Sequence, residues 1–342
     1  MSWAHIRGHD SLVAAFRHAV ERGRLAHAYL FVGPTGVGKS LFAHELAKAI
    51  LCENPPAGKV LEACDQCGAC HLARAGTHPD FFVVRRPEEK NEFTIEVMRE
   101  LCHNFTMTTA RGHGKVAILE DADDLNEESA NCFLKTLEEP PPRSLFILLG
   151  TSLEQQLTTI RSRCQAVRFA PLSEAIVRDV LRAKGIAEED RLDRLVRLAG
   201  GSPGQALALA DEALWQCRRT LLSGLAAGKP DSVVLARSLV EFAEEAGKDT
   251  SLQRRQLALV FRLLIEAFRD VLGICVGGPV RSGAADERVL LTTLAGRAGT
   301  ETILARIERC MEAQAQLDRY IQLGLVVEGL IDSLVHGPAA YV

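Results

Sequence analysis

Short apolar runs at Ala28–Val32, Phe81–Val84, 116–119, 145–149 and 166–169 punctuate the first half of the chain. Each is too short for a buried helix, and the stretches between them carry helical periodicity. Residues 41–51 follow the first run with Leu41, Phe42, Leu46 and Ile50 at helical spacing. This alternation predicts a parallel sheet with crossover helices. Asn126 is placed to cap a helix that ends at Glu138-Glu139, because Pro140-Pro141-Pro142 cannot continue it. From about Pro171 the strand pattern stops. Residues 173–184 and 189–198 read as amphipathic helices, Gly200-Gly201-Ser202-Pro203-Gly204 breaks the chain, and a third helix starts at Gln205. Everything after about Leu214 reads as helical, with a Gly/Pro/Ser-rich break at 277–284.

A chain of 342 residues exceeds one ordinary core and suits two or three domains. With 47% hydrophobic and 25% charged residues it has the balance of a globular protein. A net charge of -4 argues against a surface that binds nucleic acid everywhere, while permitting a local basic face. Aromatic residues are only 5%, so base stacking is not a visible theme. The apolar segment at 257–276 is interrupted by Arg262, Glu266, Arg269 and Asp270, which favours a buried helix over a membrane span. The N-terminus has no basic-then-apolar signal, and a cytoplasmic location is expected.

The first run leads into Gly33-Pro34-Thr35-Gly36-Val37-Gly38-Lys39-Ser40, which fits G-x-x-x-x-G-K-[ST] at every fixed position. Strand, glycine loop and helix follow in the order a phosphate cradle needs. Glycines let backbone N–H groups face phosphate oxygens, Lys39 would reach the β- and γ-phosphates, and Ser40 would ligate Mg²⁺. A second part of such a site is an acidic pair at another strand's end, here Glu120-Asp121 after the run at 116–119. P-loop motors usually have Asp then Glu. The reversed order leaves Asp121 one methylene short, and misplacement near 1 Å can cost about 10²-fold in rate. Binding should survive this better than hydrolysis. Asp123 and Asp124 read as a solvated loop or helix cap.

Of ten cysteines, Cys52, Cys64, Cys67 and Cys70 lie within nineteen residues; the other six are scattered through apolar stretches. Four thiolates in this pattern suit a closed tetrahedral zinc site of structural character, with His71 as a competing ligand. Paired CxxC redox chemistry and unligated core cysteines are the other readings.

Leu25-Ala26-His27-Ala28-Tyr29-Leu30-Phe31 before the glycine loop, the cysteine module after the first helix, Leu134-Lys135-Thr136-Leu137-Glu138-Glu139-Pro140-Pro141, and Ser162-Arg163-Cys164 occur in that order. In this the chain resembles the delta-prime family of bacterial DNA polymerase III clamp-loader subunits, of the AAA+ class and akin to gamma/tau. The detailed resemblance covers about residues 3–210. It implies a RecA-like AAA+ α/β domain at 1–170, a parallel sheet with helices on both faces and the zinc module at 52–70 inserted. A small helical lid at 171–213 and an all-α collar at 214–342 would follow. It further implies a hetero-pentamer with gamma/tau and delta that loads a sliding clamp onto primed DNA. The chain would be a non-catalytic or weakly ATP-hydrolysing subunit of the DNA polymerase III holoenzyme. Arg163, with Arg161 as the near alternative, would act in trans as an arginine finger in the adjacent ATP site, and Thr151 would sense the γ-phosphate.

One departure matters. Motor subunits carry an arginine in the lid's Gly-Ser-x-Arg turn, where this chain has Gly204. The expected nucleotide set is therefore Gly33, Thr35, Gly36, Val37, Gly38, Lys39, Ser40, Glu120, Asp121 and Thr151, holding ATP with Mg²⁺ without efficient turnover. The alternatives are an active gamma/tau-type ATPase and a zinc-dependent DNA-binding module. The second lacks a basic cluster beyond Arg74, Arg85 and Arg86 near the cysteines.

Overall fold

The computed structural model describes residues 3–87, 90, 92–278 and 285–337. The chain forms two compact units, Met1–Leu207 and Ala208–Val342.

In the first unit α1 (Asp10–Glu21) precedes β1 (Ala28–Val32), α2 (Lys39–Leu51) and α3 (Gly68–Ala75). Then come β2 (Phe81–Val84), α4 (Ile95–Thr106), β3 (Lys115–Leu119), α5 (Glu127–Glu138) and β4 (Ser144–Gly150). The short α6 (Thr158–Arg161) and β5 (Gln165–Arg168) complete the sheet layer. The strands pair in parallel in the order β2-β3-β4-β1-β5. β4 is the middle strand, and β1 lies between it and the edge strand β5 with all five of its residues buried.

Strand alternation divides the core. Tyr29, Phe31, Val116, Ile118, Leu145 and Ile147 face one layer with Phe16 of α1 and Phe42 and Leu46 of α2. Ala28, Leu30, Val32, Ala117, Leu119, Phe146 and Leu148 face the other, with Leu101 and Phe105 of α4, Phe133 and Leu137 of α5, and Ile160 of α6. Both faces of the sheet are thus covered, which is why β1, β3 and β4 are buried along their whole length, while the edge strand β5 carries Gln165 and Arg168. This is the expected RecA-like α/β arrangement.

Three helices follow: α7 (Glu174–Ala183), α8 (Glu189–Ala199) and α9 (Pro203–Ala208). The Ser173 side chain caps α7, and Gly200 ends α8 in the left-handed region at φ 56°. α9 begins at Pro203, two positions before the helix start expected at Gln205. Proline fits the first turn of a helix, where its missing N–H would have no intrahelical partner.

The second unit is helical throughout its described residues: α10 (Glu212–Leu225), α11 (Ser232–Glu244), α12 (Thr250–Cys275), α13 (Ala285–Arg297), α14 (Thr300–Asp318) and α15 (Leu323–His336). α12 runs 26 residues and packs against α10, α11, α13 and α14, burying Leu257, Phe261, Leu264 and Phe268. The apolar segment at 257–276 is therefore core. No helix among the described residues is long and apolar enough to cross a membrane. The expected break at 277–284 lies mostly outside the described residues.

Candidate functional site: a phosphate loop, a four-cysteine module and an anchored arginine

The glycine loop leaves the C-terminal end of β1 and opens α2. Its backbone explains its glycines. Gly33 has φ 152°, and a Cβ there would lie 2.2 Å from the Phe169 carbonyl oxygen. Gly36 and Gly38 have φ 82° and 107°, in the region that favours glycine. The loop is held from outside. Gly33 N–H donates to the Thr151 carbonyl at 3.0 Å, and buried His9 places Nε2 2.8 Å from the Val37 carbonyl oxygen.

Lys39, the first residue of α2, is buried. Its Nζ donates to the carbonyls of Gly33 at 2.6 Å and Pro34 at 2.9 Å. Burial lowers its pKa, against the opposing charges of Asp123 and Asp121. The lysine thus folds over the loop's own carbonyls, within the loop that would cradle a phosphate. Ser40 donates its hydroxyl to Glu120 Oε1 at 3.0 Å, and Arg85 Nε donates to Glu120 Oε2 at 2.6 Å. The loop serine and the first acid of the pair are therefore in direct contact, and an arginine from the end of β2 shares that acid. Asp121 lies at φ 54°, opening a single 3-10 turn at Ala122–Asp124.

Asp123 and Asp124 differ from the solvated residues the sequence suggests. Asp123 accepts from Thr151 N–H at 2.8 Å and from the Gln156 amide. Asp124 is ion-paired with Arg86 at 3.0 Å, and burial raises its pKa. Thr151 directs its hydroxyl at Gln155 in its own loop, while its backbone bonds Asp123 and Gly33. Strand-end geometry, which brings β3 and β4 side by side, sets Asp123 beside Thr151 and brings it and Asp121 within electrostatic reach of Lys39.

The α8–α9 turn touches the glycine loop at backbone range. Ser202 Oγ donates to the Thr35 carbonyl at 2.7 Å, and Gly204 N–H donates to the Gly36 carbonyl at 2.9 Å. A Cβ on Gly204 would stand 2.7 Å from the Gly36 Cα. The position where motor subunits place an arginine has no room here for any side chain.

The cysteines converge as their spacing predicts. One sulfur from each of Cys52, Cys64, Cys67 and Cys70 lies within 4.8 Å of the others. Cys52 Sγ to Cys67 Sγ is 4.0 Å, and Cys64 Sγ to Cys70 Sγ is 3.9 Å. Tetrahedral zinc with bonds of about 2.3 Å needs sulfurs about 3.8 Å apart, so the donor set fits. Backbone N–H groups of Cys64, Cys67 and Cys70 point at the sulfurs of Cys52, Cys64 and Cys67 at 3.3–3.4 Å. Burial raises the Cys67 thiol, but the N–H groups of Cys70 and Glu53 outweigh it and bring it to about 6. The module is pinned to α2 by Lys48, which pairs with Asp65 at 2.7 Å and Glu45 at 2.9 Å.

Arg163 lies between α6 and β5. Its Nε donates to Glu138 Oε1 at 2.8 Å and its Nη1 to the Thr159 carbonyl at 2.9 Å. These bonds are to its own surroundings and not to the glycine loop. Sequence reasoning missed Glu138, Arg85 and His9 as partners. Glu138 stands in the motif before the prolines with no sign of its partner, and Arg85 has no motif at all. His9 is one of ten histidines, and only the packing of α1 marks it.

Parallel strands covered by helices, with a glycine loop between β1 and α2, define a P-loop α/β protein. Residues 8–173 match the family described as DNA polymerase III, delta subunit. The delta-prime subunit of DNA polymerase III from Escherichia coli K12 is 35% identical over 221 residues, 65% of this chain and 64% of its own length. The chain thus spans less than two thirds of that relative in the match. The Bacillus subtilis delta-prime subunit is 27% identical over 93% of this chain and 92% of its own length. The Escherichia coli tau subunit is 34% identical over 62% of this chain and 33% of its own. Over these stretches the chain is similar to delta-prime and gamma/tau subunits of DNA polymerase III.

Proposed function

We propose that this chain is the delta-prime-like subunit of a DNA polymerase III clamp loader, a stator that lends Arg163 to a neighbour's ATP site and turns over little ATP itself. The observation that carries the second half is the Gly204–Gly36 contact. Its backbone closeness excludes the lid arginine that a motor would direct at the γ-phosphate. The reversed Glu120-Asp121 pair, with Asp121 at a left-handed φ of 54°, supports the same reading.

The intact loop favours retained nucleotide binding. Gly33, Thr35, Gly36, Val37, Gly38 and Lys39 would hold the phosphates, with Ser40 and Glu120 beside Mg²⁺ and Asp121 and Thr151 at the rim. Bound Mg²⁺ would supply charge neutralisation between phosphate oxygens. Lys39 would first leave the Gly33 and Pro34 carbonyls. The four cysteines would hold structural Zn²⁺, which fastens the 52–70 segment to α2. Residues 171–213 would act as lid and 214–342 as collar, in a cytoplasmic hetero-pentamer with gamma/tau and delta that closes the sliding clamp on primed DNA.

The same intact loop, with Ser40 on Glu120, is what a gamma/tau-type ATPase would also need. Co-purification with gamma/tau and delta subunits tests the assembly, and failure to form any complex would end the proposal. ATP turnover by the isolated chain separates the two readings: robust hydrolysis lost on Lys39→Ala would establish the motor.

A further inference from the structure

A long arginine side chain on a surface loop ordinarily samples several rotamers. Arg163 is held instead. Nε and Nη2 both donate to Glu138 Oε1, while Nη1 donates to the Thr159 carbonyl at 2.9 Å and to Ser162 Oγ at 3.1 Å. These four bonds engage four of the guanidinium's five N–H groups and leave one, on Nη2, without a partner among the described residues.

The anchor comes from a separate element. Glu138 is the last residue of α5, where the prolines stop the helix. Its neighbour Leu137 and Ile160 of α6 are buried in the same core, so the backbones carrying acid and arginine are fixed relative to each other. The side chains themselves remain 51% and 30% exposed, within reach of an approaching subunit.

We infer that Glu138 is a positioning residue for Arg163, fixing the guanidinium plane so that its outer Nη2 edge is presented to an anionic phosphate on the adjacent subunit. This rests on the reading of Arg163 as a finger in trans. An exposed ion pair adds little to stability. Its effect lies in orientation: rotamer freedom is lost on folding, and less reorganisation remains when the phosphate arrives.

The test uses the reconstituted loader with ATP, clamp and primed DNA, comparing this chain as wild type, Glu138→Ala, Glu138→Gln, Arg163→Ala and the double alanine variant. Glu138→Ala is expected to lower kcat at the served site about tenfold or more, with KM for ATP unchanged. Glu138→Gln, which keeps an amide oxygen to accept from Nε, should recover part of that loss. The double variant should be no slower than Arg163→Ala alone, because Glu138 acts only through the arginine. A slow Arg163→Ala beside a wild-type Glu138→Ala would overturn this inference and leave the finger standing. Losses that multiply in the double variant would also overturn it. A wild-type rate for Arg163→Ala would remove both the inference and the reading beneath it.

Discussion

At the residue scale, the contacts that matter are polar groups satisfied inside the chain. Glu120 accepts from Ser40 and from Arg85, so the acid beside the phosphate loop already has a cationic partner. Lys39 is turned onto carbonyls of its own loop. With Asp121 short and twisted, the isolated chain is expected to show no ATP turnover that Lys39→Ala abolishes, checked by phosphate release at saturating ATP. The four sulfurs form the other residue-scale device. Purified chain should carry about one zinc, read by elemental analysis. Each kcal/mol lost from a unit of this size moves Tm by roughly 2–4 °C. Stripping the metal should therefore lower Tm by about 10 °C if it removes several kcal/mol. An unchanged melting curve after chelation would reject the closed site.

At the element scale, α9 and the glycine loop meet so tightly that glycine is required on both sides. Gly204→Arg would put a Cβ 2.7 Å from the Gly36 Cα, so it should push the turn away and lower Tm rather than create a working motor. A gain of ATP hydrolysis in that variant would contradict the packing argument. Asn126 accepts from Ser129 N–H at the start of α5, and Asn126→Ala should cost about 1 kcal/mol in denaturant unfolding. Elements of this kind were legible in the sequence. Buried parallel strands are continuous apolar runs, so β1 and β2 fell on their observed bounds and β5 shifted by one residue. Asn126 with the triple proline delimited α5, and the cysteine spacing delivered the four sulfurs. The Arg85–Glu120 and Arg163–Glu138 pairs were not legible, because partners 35 and 25 residues apart meet only once the sheet and its helices are assembled. The half-burial of Asp123 and Asp124 was hidden for the same reason.

At the scale of the whole molecule, the second unit depends on a buried ion pair between α10 and α13. Arg218 donates from Nε to the Leu263 carbonyl at 3.1 Å and from Nη1 to Glu287, and their side chains are only 4% and 5% exposed. Removing one member strands a charge, so Arg218→Ala should destabilise this unit by about 3–5 kcal/mol in urea unfolding. Nothing in the local sequence announced that pair, since both residues read as ordinary charged positions on helices. The first unit holds a glycine loop pressed by the α8–α9 turn and, on its surface, Arg163 anchored to Glu138, which the proposed function assigns to a neighbour's ATP site. Clamp- and DNA-stimulated ATP turnover by the reconstituted loader, with Arg163→Ala in this chain alone, tests that division of labour most directly. The account predicts a loss at the neighbouring site of about 10³-fold or more, with assembly intact. An intact complex hydrolysing ATP at the wild-type rate at that site would contradict it.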